Sequence, residues 1–374
     1  MSFLMLILIG NAFCIVDTAE YQADVSSWHI ADIHKYCSTN MESLSDEERN
    51  RYASFFIECQ DPETGNFVDS HGDAFYSVKV YYLLKRLGYE PKYPLVVCQQ
   101  IGTDYCEVDG VPVTEYMTPE DFRRWLGKIH SKYDAYGAGS LFGHFINPHL
   151  INLEIEGKTA DDSPFVTVFH DWLLEHQGEN GFWNRPDDPD YNGWNGVMKM
   201  DSALGMAGIK LPHPDRMLRT VLKYQREDGI FYAGGGCSNH NALHTLRQWS
   251  KRYDMLMWED IFRAMERFTD NVEQRYDPVS GYFYPPLGSG QKPQFEATEL
   301  ASMEIGNVIT YCRLLLDPDN SKLFENQHTH PKAAPITPER IRGVLVRAAG
   351  IGALAKERVK AHVQEEHEKN YGRN

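Results

Sequence analysis

Apolar residues recur at helical spacing along most of the chain, and no long stretch alternates in the two-residue rhythm of a strand. The run from Phe165 (FVTVFHDWLLEH) predicts a helix to His176. The same reading predicts helices over 44–59, 75–87, 195–207, 214–224, 239–253, 258–274 and 295–316. Pro214 opens its helix, where a missing N–H does little harm. Residues 93–113 carry no such period and read as a short hairpin or a loop. From Lys356 onward charges dominate, so 356–374 reads as a charged C-terminal tail outside the core.

Between the helices one phrase keeps returning. It reads Gln60-Asp-Pro-Glu-Thr-Gly65-Asn-Phe67, then Gln177-Gly-Glu-Asn-Gly181-Phe-Trp183, then Gln225-Arg-Glu-Asp-Gly229-Ile-Phe231. A looser copy is Gln274-Arg-Tyr-Asp-Pro-Val-Ser-Gly281-Tyr-Phe283, and a degenerate one spans Tyr133-Asp-Ala-Tyr-Gly137 to Phe142. The last three clear glycines lie about fifty residues apart, the period of a repeated supersecondary unit. Glycine supplies the positive φ of a tight turn, and the aromatic that follows fills the gap between hairpins. Helical hairpins of that length, stacked about an axis, close into an all-α (α/α)6 or (α/α)7 toroid spanning 26–355. Helices that follow the glycine phrases form its inner ring, with their N-termini at one mouth.

The formal charge of −16 excludes a nucleic-acid binder, which needs a basic footprint. No segment approaches the length of a membrane span. Apolar residues Phe3 to Ile9 and Ala12 to Val16 make 1–25 a signal or N-terminal extension. That places the protein in the periplasm or outside the cell; the missing positive leader leaves the cytoplasm open. The seven cysteines, Cys14, Cys37, Cys59, Cys98, Cys106, Cys237 and Cys312, form no C-x-x-C pair and read as buried free thiols. Aromatics reach 12%, including 21 Tyr and 7 Trp, which suits a cleft that stacks on sugar rings.

The Q-x-x-x-G-x-F/W phrase resembles the repeat of terpenoid-cyclase and prenyltransferase toroids, and equally that of α/α-barrel glycosidases and polysaccharide lyases. The cyclase resemblance requires an acidic motif, and Asp187-Asp188-Pro-Asp190 sits in a Pro- and Asn-rich stretch that reads as a solvated loop. Toroid lyases of the alginate, hyaluronate and chondroitin type carry an Asn and a His on inner helices, with an Arg and a Tyr after them. Asn239, His240, Arg275 and Tyr282 match that order. The resemblance implies β-elimination on a uronic-acid glycan, an anionic polysaccharide or oligosaccharide, without cofactor or metal. Asn239, His240 and Arg275 would neutralise the uronate carboxylate, and Tyr282, with His240, would move the proton.

Around these, Asn195 and Lys199 open another inner helix, and an apolar helix gives Lys199 reason to pair with Glu304 or Asp201. Trp194 and Tyr191 read as a sugar platform, and Tyr284 as packing beside Tyr282. His244 stands one turn beyond His240; this pair has no third metal ligand in the sequence. His71 and Asp73 open the first inner helix as caps, with His71 facing substrate. A hydrolase would instead draw on Glu296, Glu299 and Glu304, with Asp73 or Asp201 opposite; Glu299 is also a substrate-binding candidate. A toroid that binds glycan without turning it over is the third reading.

Overall fold

The computed structural model describes residues 28–97, 117–231, 237–286, 291–325, 327 and 334–371, with the backbone alone of 74–75, 107–108 and 111–112. Cys14, Cys98, Cys106 and the N-terminal segment 1–25 lie outside the described residues. The protein is all-α: its strands are two-residue pieces, Phe67–Val68 with Ala74–Phe75 and Glu107–Val108 with Val111–Pro112. The second pair is the hairpin expected between 93 and 113. Among the described residues no helix is long and apolar enough to cross a membrane.

The chain divides into two compact units, one up to Val96 joined by the residues from Glu366, the other Val97–Glu365. In the first, α1 (Ile30–Asn40), α2 (Asp46–Glu58) and α3 (Ser77–Leu87) bury Ile33, Cys37, Phe56, Val80 and Leu84. Ser45 and Glu48 close a capping box on α2, satisfying two of its orphan backbone donors.

The second unit holds α4 (Pro119–Lys132), α5 (Ala135–Ile155), α6 (Pro164–His176), α7 (Asp190–Met206), α8 (Pro214–Lys223), α9 (Ser238–Arg252), α10 (Trp258–Gln274) and α11 (Phe295–Leu315). The final helix, α12 (Pro338–Tyr371), begins there and ends in the first unit. Two kinds of helix alternate. α10 buries one stripe, Ile261, Met265, Phe268 and Val272, and exposes Asp260, Arg267, Asp270 and Glu273. α5 is buried nearly all round, as a helix with neighbours on most sides must be.

Cross-helix contacts place α5, α7, α9 and α11 side by side and parallel. Gly196 and Ser202 of α7 meet Ala135 and Asn147 of α5. Asn195 and Asp201 meet Asn241 and His244 of α9. Asn307 and Tyr311 of α11 meet His240 and Ser250. The approach of α5 to α7 needs bare backbone: a Cβ on Gly139 would lie 2.5 Å from the Gly196 carbonyl oxygen.

The repeated phrase has a visible mechanism. The Gln60, Gln177 and Gln225 side-chain amides donate to the carbonyls of Gly65, Gly181 and Gly229 at 3.1, 2.9 and 2.9 Å. All four phrase glycines have positive φ, and the aromatics Phe67, Phe182, Phe231 and Phe283 are wholly buried. A Cβ on Gly229 would stand 2.4 Å from the Arg267 carbonyl of α10, so the turn is also a docking point for the next helix.

Three local expectations change. Gly137 is no turn: its N–H bonds the Asp134 carboxylate that caps α5. The acidic stretch is structural, Asp188 accepting from the Ala135 N–H and Asp190 from Asn180 and Tyr224, so α7 starts at Asp190. Beyond Lys356 the chain stays helical to Tyr371, and Ala355, Val359, Val363 and His367 are buried at four-residue spacing, which makes this stretch part of the packing. Among the thiols, Cys37 and Cys312 are buried as expected, whereas Cys59 is half-buried and Cys237 exposed.

Candidate functional site

Polar side chains on α9 form one stripe, His240, His244, Arg247 and Gln248, at the spacing of one helix face. Neighbours on α7 and α11 fix each of them. Arg247 Nε donates to Asn307 Oδ1 at 2.9 Å. That fixes the amide, because a guanidinium can only donate. Asn307 Nδ2 therefore faces two acceptors, the Met303 carbonyl at 3.1 Å and His240 Nδ1 at 3.3 Å. His240 Nδ1 thus carries a lone pair, and its proton sits on Nε2. Burial, helped by the charges of His244 and Arg247 and opposed by the Met303 carbonyl, pulls His240 down to about 4, so it is neutral at pH 7.

His244 Nε2 lies 2.9 Å from Asp201 Oδ2, and its Nδ1 lies 3.4 Å from Arg247. Burial pushes the Asp201 carboxyl up, but His244, Arg252 and Gln248 outweigh it and hold the group below its ordinary value. Asp201 is therefore a carboxylate at neutral pH, and His244 presents Nε2–H to it. The lone pair of His244 is left at Nδ1, met only by a long contact from Arg247, on a side chain 17% exposed. An aspartate that orients one ring nitrogen, with the other lone pair held only by a long contact, is the arrangement of a general base. Asn195 donates no charge here: its Oδ1 accepts from Asn241 Nδ2 at 2.8 Å.

No known family's pattern matches this chain. Neither a characterised protein nor a solved structure is recognisably similar to it. The site is accordingly read from its own geometry.

The residues expected from the sequence separate into groups. His240, His244 and Asn195 come together on the α7–α9–α11 surface. Asn239 and Arg275 do not reach it. Asn239 is fully buried, with Oδ1 accepting from the Phe231 N–H at 2.8 Å. Arg275 is 6% exposed and donates to Glu304, itself 0% exposed, at 2.9 Å. Burial pushes the Glu304 carboxyl up against the pull of Arg275. Such a pair holds the turn after α10 to α11 and is closed to substrate.

Tyr282 faces α12, where Arg358 donates to its hydroxyl and His362 Nδ1 lies 3.4 Å away. Tyr284 is half-buried beside it, its N–H on the Arg275 carbonyl. Trp194 is 0% exposed, packed on Tyr224 and half-buried Tyr191, and so is core, not a sugar platform. Lys199 is exposed over the Tyr136 ring at 5.1 Å, unlike the buried lysine its helix suggested, and pairs with neither Glu304 nor Asp201. Glu299 is half-buried on α11 and Glu296 exposed. His71 lies in the first unit, stacked on His29.

Sequence reasoning missed Arg247, Gln248 and Asn307, and gave Asp201 only to a pair with Lys199 or to a hydrolase. The signal was present: four polar residues at i, i+4, i+7 and i+8 on a helix whose other faces bury Ala242, Leu243, Leu246 and Trp249.

Proposed function

We propose that the protein is a polysaccharide lyase on an α/α toroid, cleaving a uronic-acid glycan by β-elimination with His244 as its base. The observation that carries this reading is the Asp201–His244 pair, whose Nδ1 lone pair faces the Arg247 guanidinium across a long 3.4 Å contact. A proton α to a carboxylate becomes removable only when the carboxylate charge is offset, and preorganised donors supply the largest share of that effect. Arg247, which takes the part first given to Arg275, offsets the uronate charge. The His240 Nε2–H, held neutral, donates to the enediolate oxygen as charge develops there.

His244 Nδ1 takes the C5 proton. The C–H electron pair moves into the C4–C5 bond, and the 4-O-glycosidic oxygen leaves with a proton returned from His244. The alternating exposed and buried helices, with four parallel inner ones, support the toroid. A hydrolase has less to draw on, since Glu304 is sealed by Arg275 and Asp201 is engaged by His244.

The test is ultraviolet absorbance of an unsaturated uronate over alginate, glucuronan, hyaluronan, chondroitin and pectate. Absorbance with one substrate, lost in Asp201→Asn and His244→Gln, supports the reading. Reducing ends without absorbance would point to a hydrolase, and binding without turnover to a glycan-binding toroid; either sinks the lyase.

A further inference from the structure

The first unit contains a cluster that the reading above does not use. His29 caps the start of α1, and Asp69 and Asp73 bound the turn between Val68 and Ala74. One donor atom from each of the three lies within 4.8 Å of the other two. His29 Nδ1 and Asp73 Oδ2 are 3.2 Å apart. With metal–ligand bonds of roughly 2.0–2.2 Å, neighbouring ligands of one ion stand about 3.0–3.5 Å apart. The spacing is that of two ligands on a shared ion.

The cluster is also built differently from a chance group of surface acids. Asp69 is 6% exposed, and its carboxylate accepts from the N–H groups of Ile30, His71 and Asp73 at 2.9, 2.9 and 3.0 Å. One buried carboxylate thus ties the α1 start, which carries His29, to the turn that carries Asp73. A second imidazole, His71, is stacked on His29 with ring centroids 4.3 Å apart. The donor set is therefore imidazole nitrogen with carboxylate oxygen, on a frame already held together, with one side open to water.

We propose that His29, Asp69 and Asp73 form a binding site for a first-row divalent transition metal ion, with water completing its shell. Two carboxylates balance the dication, and the imidazole favours Zn2+ over the oxygen-seeking Mg2+ and Ca2+. The site ties α1 to the Asp69–Asp73 turn and is independent of the chemistry at His244.

Calorimetric titration of the full-length, tag-free protein with Zn2+, and separately with Mg2+, tests this. The expected result is one Zn2+ per chain, bound more tightly than Mg2+. Affinity should fall at least about tenfold in His29→Ala and in Asp73→Asn. Both substitutions are at partly exposed side chains, so the metal-free fold should be kept, as circular dichroism will show. Should either variant unfold, Co2+ broadening of the imidazole resonances in the unaltered protein decides: broadening of His29 supports the site, and broadening elsewhere overturns it. Absence of Zn2+ binding, or affinity in both variants equal to that of the unaltered protein, overturns it as well.

Discussion

Two charged groups lie on the same bundle of helices and behave as opposites. Arg275 and Glu304 meet at 2.9 Å with side chains 7% and 0% exposed. Asp201 and His244 also meet at 2.9 Å, but at 8% and 17%. The first pair is sealed beside Asn239 and the α10–α11 turn, with the Arg275 guanidinium over the Phe268 ring. The second keeps one ring nitrogen open and is surrounded by further donors, Arg247, Gln248 and Arg252. Each place sets a basic side chain against a carboxylate. Access to the outside, more than chemical identity, separates a group that holds the fold from one able to meet a substrate.

Removing one partner should break the comparison most visibly at the sealed pair. Glu304→Ala leaves Arg275 buried and uncompensated, at a cost of about 3–5 kcal/mol in urea unfolding. Turnover per folded molecule should change little. At the open pair the pattern should reverse. His244→Ala is expected to lower kcat/KM about 100- to 1,000-fold on the uronate substrate proposed above, with native circular dichroism kept. If both variants lose stability and activity together, the distinction between the pairs is wrong.

Acid sharpens the contrast. His240 is depressed to about 4 by burial, against about 6.5 in the unfolded chain. The unfolded state therefore binds the extra proton first, so this group's stabilisation is present above pH 6.5 and is lost as pH falls toward 4. The full loss amounts to at most about 3 kcal/mol. Denaturant midpoints across that window should fall less steeply in His240→Gln. An unchanged slope would mean that His240 is already protonated in the fold or stays solvated. The smallest effect is expected at Tyr282→Phe, which removes a hydroxyl engaged by Arg358 and His362. Turnover should stay within about twofold, and a loss comparable to that of His244→Ala would return the base to Tyr282.

Much of the scaffold was legible because helices announce themselves locally. The predicted 258–274 helix is α10 to the residue, and the predicted start at Phe295 is that of α11. The site was half legible. His240, His244 and Asn195 could be found because they stand near helix starts after glycine phrases. Arg275 and Tyr282 were drawn in by order along the chain, which carries no information on depth or on which neighbour a helix face meets. Asp201 lies at 5% exposure because α9 covers it with His244, Gln248 and Arg252, residues over forty positions away. Lys199 shows the converse: inside an apolar segment, its side chain still reaches water.

The glutamine clasp on three of the glycine turns bears on how the chain comes apart. Gln177 and Gln225 bond carbonyls only four residues ahead, so each turn is closed by its own sequence before any neighbouring hairpin arrives. Contacts this short in sequence cost little loop entropy to form. Amide exchange in the second unit should accordingly proceed hairpin by hairpin, each turn surviving the loss of the helix beyond it. The same independence marks the joints between hairpins, such as the Gly208–His213 link between α7 and α8, as places where the chain can be cut and its ends rejoined elsewhere.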